Sequence, residues 1–291
     1  MAMTSWRFEA IGTQWEIEIE QDVPAEKLAH VKNDVVRRID DFDKTYSRFR
    51  PDSTVTAMSQ AAGTFEFPSD ASLMFQLYRN IYDISDGQVS PLIGQMMAQA
   101  GYDALYSLKP KPLTKLPAWD NAMSVQDNVI TSKQPVYLDF GAAGKGRLVD
   151  LVSDLITDSG IRRFIVDAGG DMYRSTADGT SLADVGLEHP DQPGHVIGVV
   201  RLGRGALCGS AGNRRAWAGY NHILDPAKRA SPMHIKAVWV TAQTTMLADM
   251  LTTALYFCQP DELKPYYRFE YAMVLSDNSL SYSSSFPATF F

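Results

Sequence analysis

Only two cysteines occur in this chain, Cys208 and Cys258, too few for a disulfide framework and without metal-ligand spacing. Both read as buried thiols, and neither fixes the redox compartment. No run of 18 apolar residues exists, which argues against a membrane-spanning helix. Met1 to Glu20 alternates apolar and charged residues and lacks a basic segment followed by a continuous apolar stretch, so no leader is visible. On this reading the chain as written stays in the cytoplasm, or works outside it if the sequence is a trimmed piece of a longer one. Basic excess is missing too: 27 Lys and Arg face 34 Asp and Glu, for a formal charge of −7 and no long basic run. That argues against a nucleic-acid backbone or an anionic membrane as main partner, while a metal-bound polyphosphate stays compatible. The common nucleotide signatures are also absent. A Walker loop needs Gly-x-x-x-x-Gly-Lys followed by Ser or Thr, but position 139 is Asp and Gly146 follows Lys145; the order Gly-x-Gly-x-x-Gly does not occur.

What is present supports a large core. The 291 residues are 45% apolar and 11% aromatic, enough for one large domain or two intertwined lobes. Trp6 to Glu20 reads as a strand, because Trp15, Ile17 and Ile19 alternate with Gln14, Glu16, Glu18 and Glu20, with Gly12-Thr13 as a bulge just upstream. Ala25 to Tyr46 reads as a helix from Leu28, Val31, Val35, Ile39 and Phe42 at spacings of three and four. Asp70 to Ser85 is a second helix. Pro110, Pro112 and Pro117 make the 109–119 stretch a surface excursion joining two lobes. Ser175 to Leu187 is turn-rich; Val196 to Arg201 and Ala206 to Cys208 read as a hairpin. Ile235 to Ala242 is a strand, Gln243 to Cys258 an apolar helix, and Tyr271 to Leu280 strand again. Strands and helices mix without strict alternation, so the expected class is α+β, with mixed or antiparallel sheets and packed helices.

The most informative stretch runs from Val136 to Asp171. Val136-Tyr137-Leu138-Asp139-Phe140 reads as a strand that stops at Gly141-Ala142-Ala143-Gly144-Lys145-Gly146, where small residues let backbone approach a ligand. Leu148, Val149, Val152, Leu155 and Ile156 then recur at helical spacing, so the glycines open a helix whose N-terminus favours anions. A second apolar run, Phe164-Ile165-Val166, meets Asp167-Ala168-Gly169-Gly170-Asp171, and the two strand ends could share one site. The alternative is that these glycines only make tight turns. Farther on, Asp249 and Thr253 are four apart on one helix face amid Met246, Leu247, Met250, Leu251 and Leu255. A carboxylate there needs a cation or several donors, and carboxylate with hydroxyl suits magnesium with phosphate oxygens. The alternative is an exposed aspartate at the helix start, bonded to its own backbone. His222, in Tyr220-Asn221-His222-Ile223-Leu224-Asp225-Pro226, has a turn around it and is the candidate proton acceptor.

Six blocks in order resemble the ApbE-like FAD:protein FMN transferases, from Ile11 to about Leu255. Ile11-Gly12-Thr13 is similar to Met-Gly-Thr, Ser47 to Ser53 to Ser-x-Tyr/Phe-x-Pro-x-Ser, and Asp139 to Gly146 to Asp-Phe-Gly-Gly-Ile-Ala-Lys-Gly. Asp167 to Asp171 is close to Asn-Ala-Gly-Gly-Asp, Asn221 to Pro226 to the His-Ile-Ile-Asp-Pro block, and Ala248 to Leu255 matches Ala-Asp-x-Leu-x-Thr-Ala-Leu. The resemblance implies a single T-fold-like domain over the chain. It implies magnesium-dependent transfer of FMN from FAD to a Ser or Thr hydroxyl of a partner protein, with AMP released. It places the metal on Asp249, Thr253 and the Ala142 carbonyl, makes His222 the base, and has Lys145 and Asp139 contact FAD, gripped near Ile11, Phe49, Gln88, Val89, Ser90 and Ile223. Many members are lipid-anchored outside the cytoplasm, but no cysteine lies near this amino terminus. Departures at Val89 to Met96 and Gly209 to Asn213 keep two alternatives open: hydrolysis of FAD to FMN and AMP, and FAD binding without turnover.

Overall fold

The computed structural model describes residues 3–177 and 179–291, with only the backbone of Arg214. The fold is α+β, and every strand pair among the described residues is antiparallel. An eight-stranded sheet forms its centre, ordered Thr4–Ala10, Thr13–Ile19, Phe164–Asp167, Asp171–Ser175, Gly205–Ala211, Ile235–Ala242, Phe269–Leu275 and Leu280–Tyr282. On one face the helix Thr245–Ala254 lies over Gly205–Ala211 and Ile235–Ala242, packs against the helix Gly144–Asp158, and that helix packs against Ala25–Tyr46. On the other face a three-stranded sheet of Ala288–Phe290, Val196–Leu202 and Ala183–Glu188 closes a second core, in which Leu187, Val200 and Leu202 meet Leu207, Trp239 and Val274. Covering both faces explains why Ile235–Ala242 is nearly continuously apolar: Val238 and Val240 join the main core while Ala237 and Trp239 join the second.

The helix Ala25–Tyr46 has the bounds its spacing predicts, with Val31, Val35, Ile39, Phe42 and Tyr46 buried. The second helix runs Ala71–Ile84. Residues 106–118, which include the prolines, carry no helix or strand. Several sequence expectations need correction. Trp6 to Glu20 is not one strand with a bulge: Ile11 and Gly12 form a two-residue turn with φ of 45° and 72°, and the flanking strands pair as a hairpin. Val136 to Phe140 joins no sheet, because its backbone is satisfied by loops: the Val136 N–H donates to the Met58 carbonyl and the Asp139 N–H to the Pro91 carbonyl. Within the turn-rich 175–187 stretch, of which Asp178 lies outside the described residues, Ala183–Glu188 is a strand. Val196–Leu202 and Gly205–Ala211 do not pair with each other; they enter different sheets, so the expected hairpin is a sheet-to-sheet crossover. The late helix is shorter than 243–258, starting after Thr244, whose hydroxyl accepts from the Leu247 N–H at 3.3 Å. Tyr271 to Leu280 likewise splits into two paired strands.

Candidate active site

The glycine-rich turn and the late helix meet through a backbone contact that only glycine allows. A Cβ on Gly146 would lie 2.4 Å from the Thr245 carbonyl oxygen and 2.7 Å from the Asp249 Cβ. This close approach lets the Gly146 N–H donate to Asp249 Oδ2 at 2.8 Å. In a regular helix that N–H would return to the Ala142 carbonyl. Here it does not: the Gly144 N–H returns to the Phe140 carbonyl at 2.7 Å and the Arg147 N–H to the Ala143 carbonyl at 2.8 Å, while no backbone N–H among the described residues takes the Ala142 oxygen. Asp249 thus bonds across to another helix, not to its own backbone, and it is 6% exposed. Burial, with the Asp171 charge next, pushes its carboxyl well above the usual range. The charge that opposes this shift is Lys145, whose ammonium sits on the carboxylate of Asp171, itself 1% exposed.

The second glycine cluster does different work. Gly169 and Gly170 take φ of 69° and 100° in the turn between Phe164–Asp167 and Asp171–Ser175, and Asp167 Oδ1 accepts from the Gly170 N–H at 2.8 Å. The two glycine clusters therefore do not contribute equally: the one after the loop-bound 136–140 segment opens onto a cleft, while the one after Phe164–Asp167 leads to the buried Asp171.

That cleft is open to solvent and has a cavity volume of about 120 Å³. Of the residues expected at a metal, Ala142 and Thr253 line it and Asp249 stands behind them, one helical turn from Thr253. Of those expected at FAD, Gln88, Val89, Ser90, Asp139 and Ile223 line it. Ile11, Phe49 and Lys145 do not: Ile11 sits in the hairpin turn, Phe49 packs edge-on against the lining residue Tyr102 at 5.4 Å, and Lys145 is turned to Asp171. The 88–91 loop reaches Asp139 because Gly94 has no Cβ, which would clash with the Tyr137 carbonyl at 2.4 Å. Asp139 is fixed on one side by the Gly141 N–H at 2.7 Å and on the other by Arg48 at 2.5 Å. Arg48 is 3% exposed, and its guanidinium lies 4.2 Å from the Phe49 ring centre.

His222 also lines the cleft, on a turn in which Asn221 Oδ1 accepts from the Ile223 N–H at 2.8 Å and Asp225 Oδ1 from the Ala227 N–H at 2.9 Å. Its Nδ1 is buried without a hydrogen-bond partner among the described residues. Burial, then the charges of Arg215 and Lys145, hold the imidazole down to about 4, so at neutral pH it is uncharged and able to accept a proton. Sequence reasoning missed Tyr78, Tyr102 and Arg215. The Tyr78 hydroxyl accepts from the Ala142 N–H at 3.2 Å and so fixes the turn; its helix signalled burial, not function. Arg215 stands in a run without helical or strand periodicity, and Tyr102 beside the proline-rich stretch, so neither carried a signal.

Among the described residues no group of three or more His, Cys, Asp or Glu side chains is poised to hold a metal. A hard cation here would need a mixed donor set, and the free Ala142 carbonyl, the Thr253 hydroxyl and the Asp249 carboxylate have that chemistry. No helix among the described residues is long and apolar enough to cross a membrane.

Comparison with known proteins agrees with this architecture. The model of the ApbE family matches residues 11–274. The chain is 28% identical over 216 residues to the FAD:protein FMN transferase of Rhodobacter capsulatus, covering 69% of this chain and 41% of that protein. It is 25% identical over 276 residues to the FAD:protein FMN transferase of Treponema pallidum, covering 84% and 76%. The chain thus spans less than half of the first relative and about three quarters of the second. The crystal structure of the ApbE protein from Thermotoga maritima superposes with a TM-score of 0.85 at 19% identity, over 98% of both chains, a likeness of fold. With the family match running through nearly the whole length and the shared fold beneath it, the chain belongs to the ApbE family.

Proposed function

We propose that this chain is an FAD:protein FMN transferase, which moves FMN from FAD to a Ser or Thr hydroxyl of a partner protein and releases AMP in a magnesium-dependent reaction. The observation that carries the reading is the convergence on one cleft of Ala142, Thr253, Asp139, the Gln88–Ser90 loop and His222, from widely separated parts of the chain. The names of the relatives point the same way.

Asp249, Thr253 and the carbonyl of Ala142 would hold magnesium, which when bound supplies neutralisation of charge on the diphosphate. Gly146 and Tyr78 hold those donors in place, through the Asp249 carboxylate and the Ala142 amide. Neutral His222 takes the proton of the attacking hydroxyl. The hydroxyl oxygen bonds to the phosphorus of the FMN half, the bond from that phosphorus to the AMP oxygen breaks, and AMP leaves with the electron pair. The buried Arg48 keeps Asp139 oriented at the cleft wall, available to the flavin nucleotide.

The test is to follow AMP release and protein-bound flavin with FAD, magnesium and candidate acceptor proteins. Transfer predicts that both appear together, and that His222→Ala removes both while leaving FAD binding intact. AMP released without any acceptor points instead to a hydrolase, and FAD retained unchanged after long incubation to a binding protein.

A further inference from the structure

We propose that Arg215 is the side chain that reads the diphosphate of the bound dinucleotide, an assignment that rests on the cleft being an FAD site. Arg215 lines the cleft beside the proposed base: the His222 N–H donates to the Arg215 carbonyl at 3.2 Å. Its guanidinium is held from two directions. Nη1 donates to the Tyr102 hydroxyl at 2.7 Å, and Nη2 donates to the Gly12 carbonyl at 3.2 Å. Both acceptors are neutral, and among the described residues no carboxylate lies within ion-pair distance of Arg215. The cation is therefore fixed in direction, exposed to solvent and without an ion-pair partner among the described residues.

Two further cations near the cleft, among the described residues, are already committed. Arg48 is paired with Asp139 and packed on Phe49, and Lys145 is paired with Asp171. A guanidinium carries five N–H donors in a planar fork that matches phosphate oxygens, and two anchoring bonds leave part of that fork free. The anchors are themselves well supported. Tyr102 stacks on Trp217 at 5.4 Å, and the Trp217 Nε1–H donates to the Ala100 carbonyl at 2.7 Å. The Gly12 carbonyl is presented by a turn that puts Ile11, a β-branched residue, at φ of 45°, a strained conformation that persists only where surroundings enforce it. Arg215 thus ties the amino-terminal hairpin to the His222 turn across the mouth of the cleft. The lowering of the His222 pKa by the Arg215 charge places the two within electrostatic reach.

The experiment compares wild type, Arg215→Gln and Arg215→Lys for equilibrium binding of FAD, ADP and riboflavin, with magnesium present and at two salt concentrations. FAD and ADP carry a diphosphate, and riboflavin carries no phosphate. Arg215→Gln is expected to weaken FAD and ADP by about tenfold, the effect of one lost charge-assisted contact, and to leave riboflavin unchanged. The salt dependence of FAD binding becomes shallower, and Arg215→Lys, which keeps the charge without the fork, falls between. Equal losses for all three ligands make Arg215 a brace for the cleft and overturn the assignment, as does undiminished FAD affinity in Arg215→Gln. If wild type itself fails to bind FAD, the reading of the cleft falls first and the assignment with it.

Discussion

Replacing Gly146 by alanine adds one methyl group where two helices touch. Its nearest neighbours are the Thr245 carbonyl oxygen at 2.4 Å and the Asp249 Cβ at 2.7 Å, and the first is backbone that cannot swing aside. Forcing a methyl into such packing costs about 1–3 kcal/mol. Separating the helices also weakens the Gly146 bond to the Asp249 carboxylate, a charge-assisted contact of about 1.5–3 kcal/mol, while alanine's helix preference returns about 1 kcal/mol. The net expectation is a loss of about 2–4 kcal/mol, or a midpoint lowered by about 4–8 °C for a chain of this size. Gly144, two residues earlier, is the internal control. Its Cβ would meet Phe140 at 3.6 Å and Phe42 at 3.9 Å, ordinary contacts, so Gly144→Ala should be neutral or stabilising by up to about 1 kcal/mol. Urea unfolding and calorimetry of the two variants decide the matter. Equal stabilities for Gly144→Ala and Gly146→Ala would refute the argument that the helices' close approach sets Asp249.

Other consequences follow from the same geometry. Asp139→Asn leaves the Arg48 guanidinium buried without its counter-charge and should cost about 3–5 kcal/mol, measured by urea denaturation; a cost below about 1 kcal/mol contradicts the buried-pair picture. Because His222 is held at about 4, it stays neutral well below its ordinary value near 6.5, so with magnesium saturating, the acid limb of FMN transfer should lie near pH 4. For stability the sign is set by the same shift. The unfolded chain takes up this proton below about pH 6.5 and the folded chain only near 4. The contribution of His222 is therefore complete above the first value and lost as pH falls to the second, which wild type and His222→Ala, compared by urea unfolding across that window, will show. Replacing Asp249 by Ala should remove magnesium-dependent turnover, and, because it takes away the acceptor of the Gly146 N–H together with a buried carboxylate, it should lower the calorimetric midpoint no further than Gly146→Ala does.

How much of this was legible in the sequence depended on whether the signal was local. Ala25–Tyr46 and Ile235–Ala242 were readable to their ends, because one buries a stripe of regular spacing and the other buries both faces. The Ile11-Gly12 turn was not, since isoleucine rarely takes positive φ and nothing in its neighbours announces the turn. Val136–Phe140 looked like a strand because burial of Val136, Leu138 and Phe140 produces the same alternation whether the backbone pairs with a sheet or with loops. Strand partners, and hence the entry of Val196–Leu202 into a separate sheet, depend on contacts distant in sequence. In the cleft, motif blocks pointed to Asp139, His222 and Thr253, whereas Tyr78, Tyr102 and Arg215 belong to the wall through tertiary contacts alone. Lys145 shows the reverse case, a residue whose block points to FAD and whose ammonium is engaged by a buried aspartate.

The most direct test of the central claim is mass spectrometry of a proteome incubated with FAD, magnesium and the purified chain, scoring FMN attached to Ser or Thr and AMP released. The account predicts one AMP for each FMN attached, neither without magnesium, and neither with Asp249→Ala. Free FMN accumulating with no modified protein, or turnover undiminished in Asp249→Ala, would contradict it.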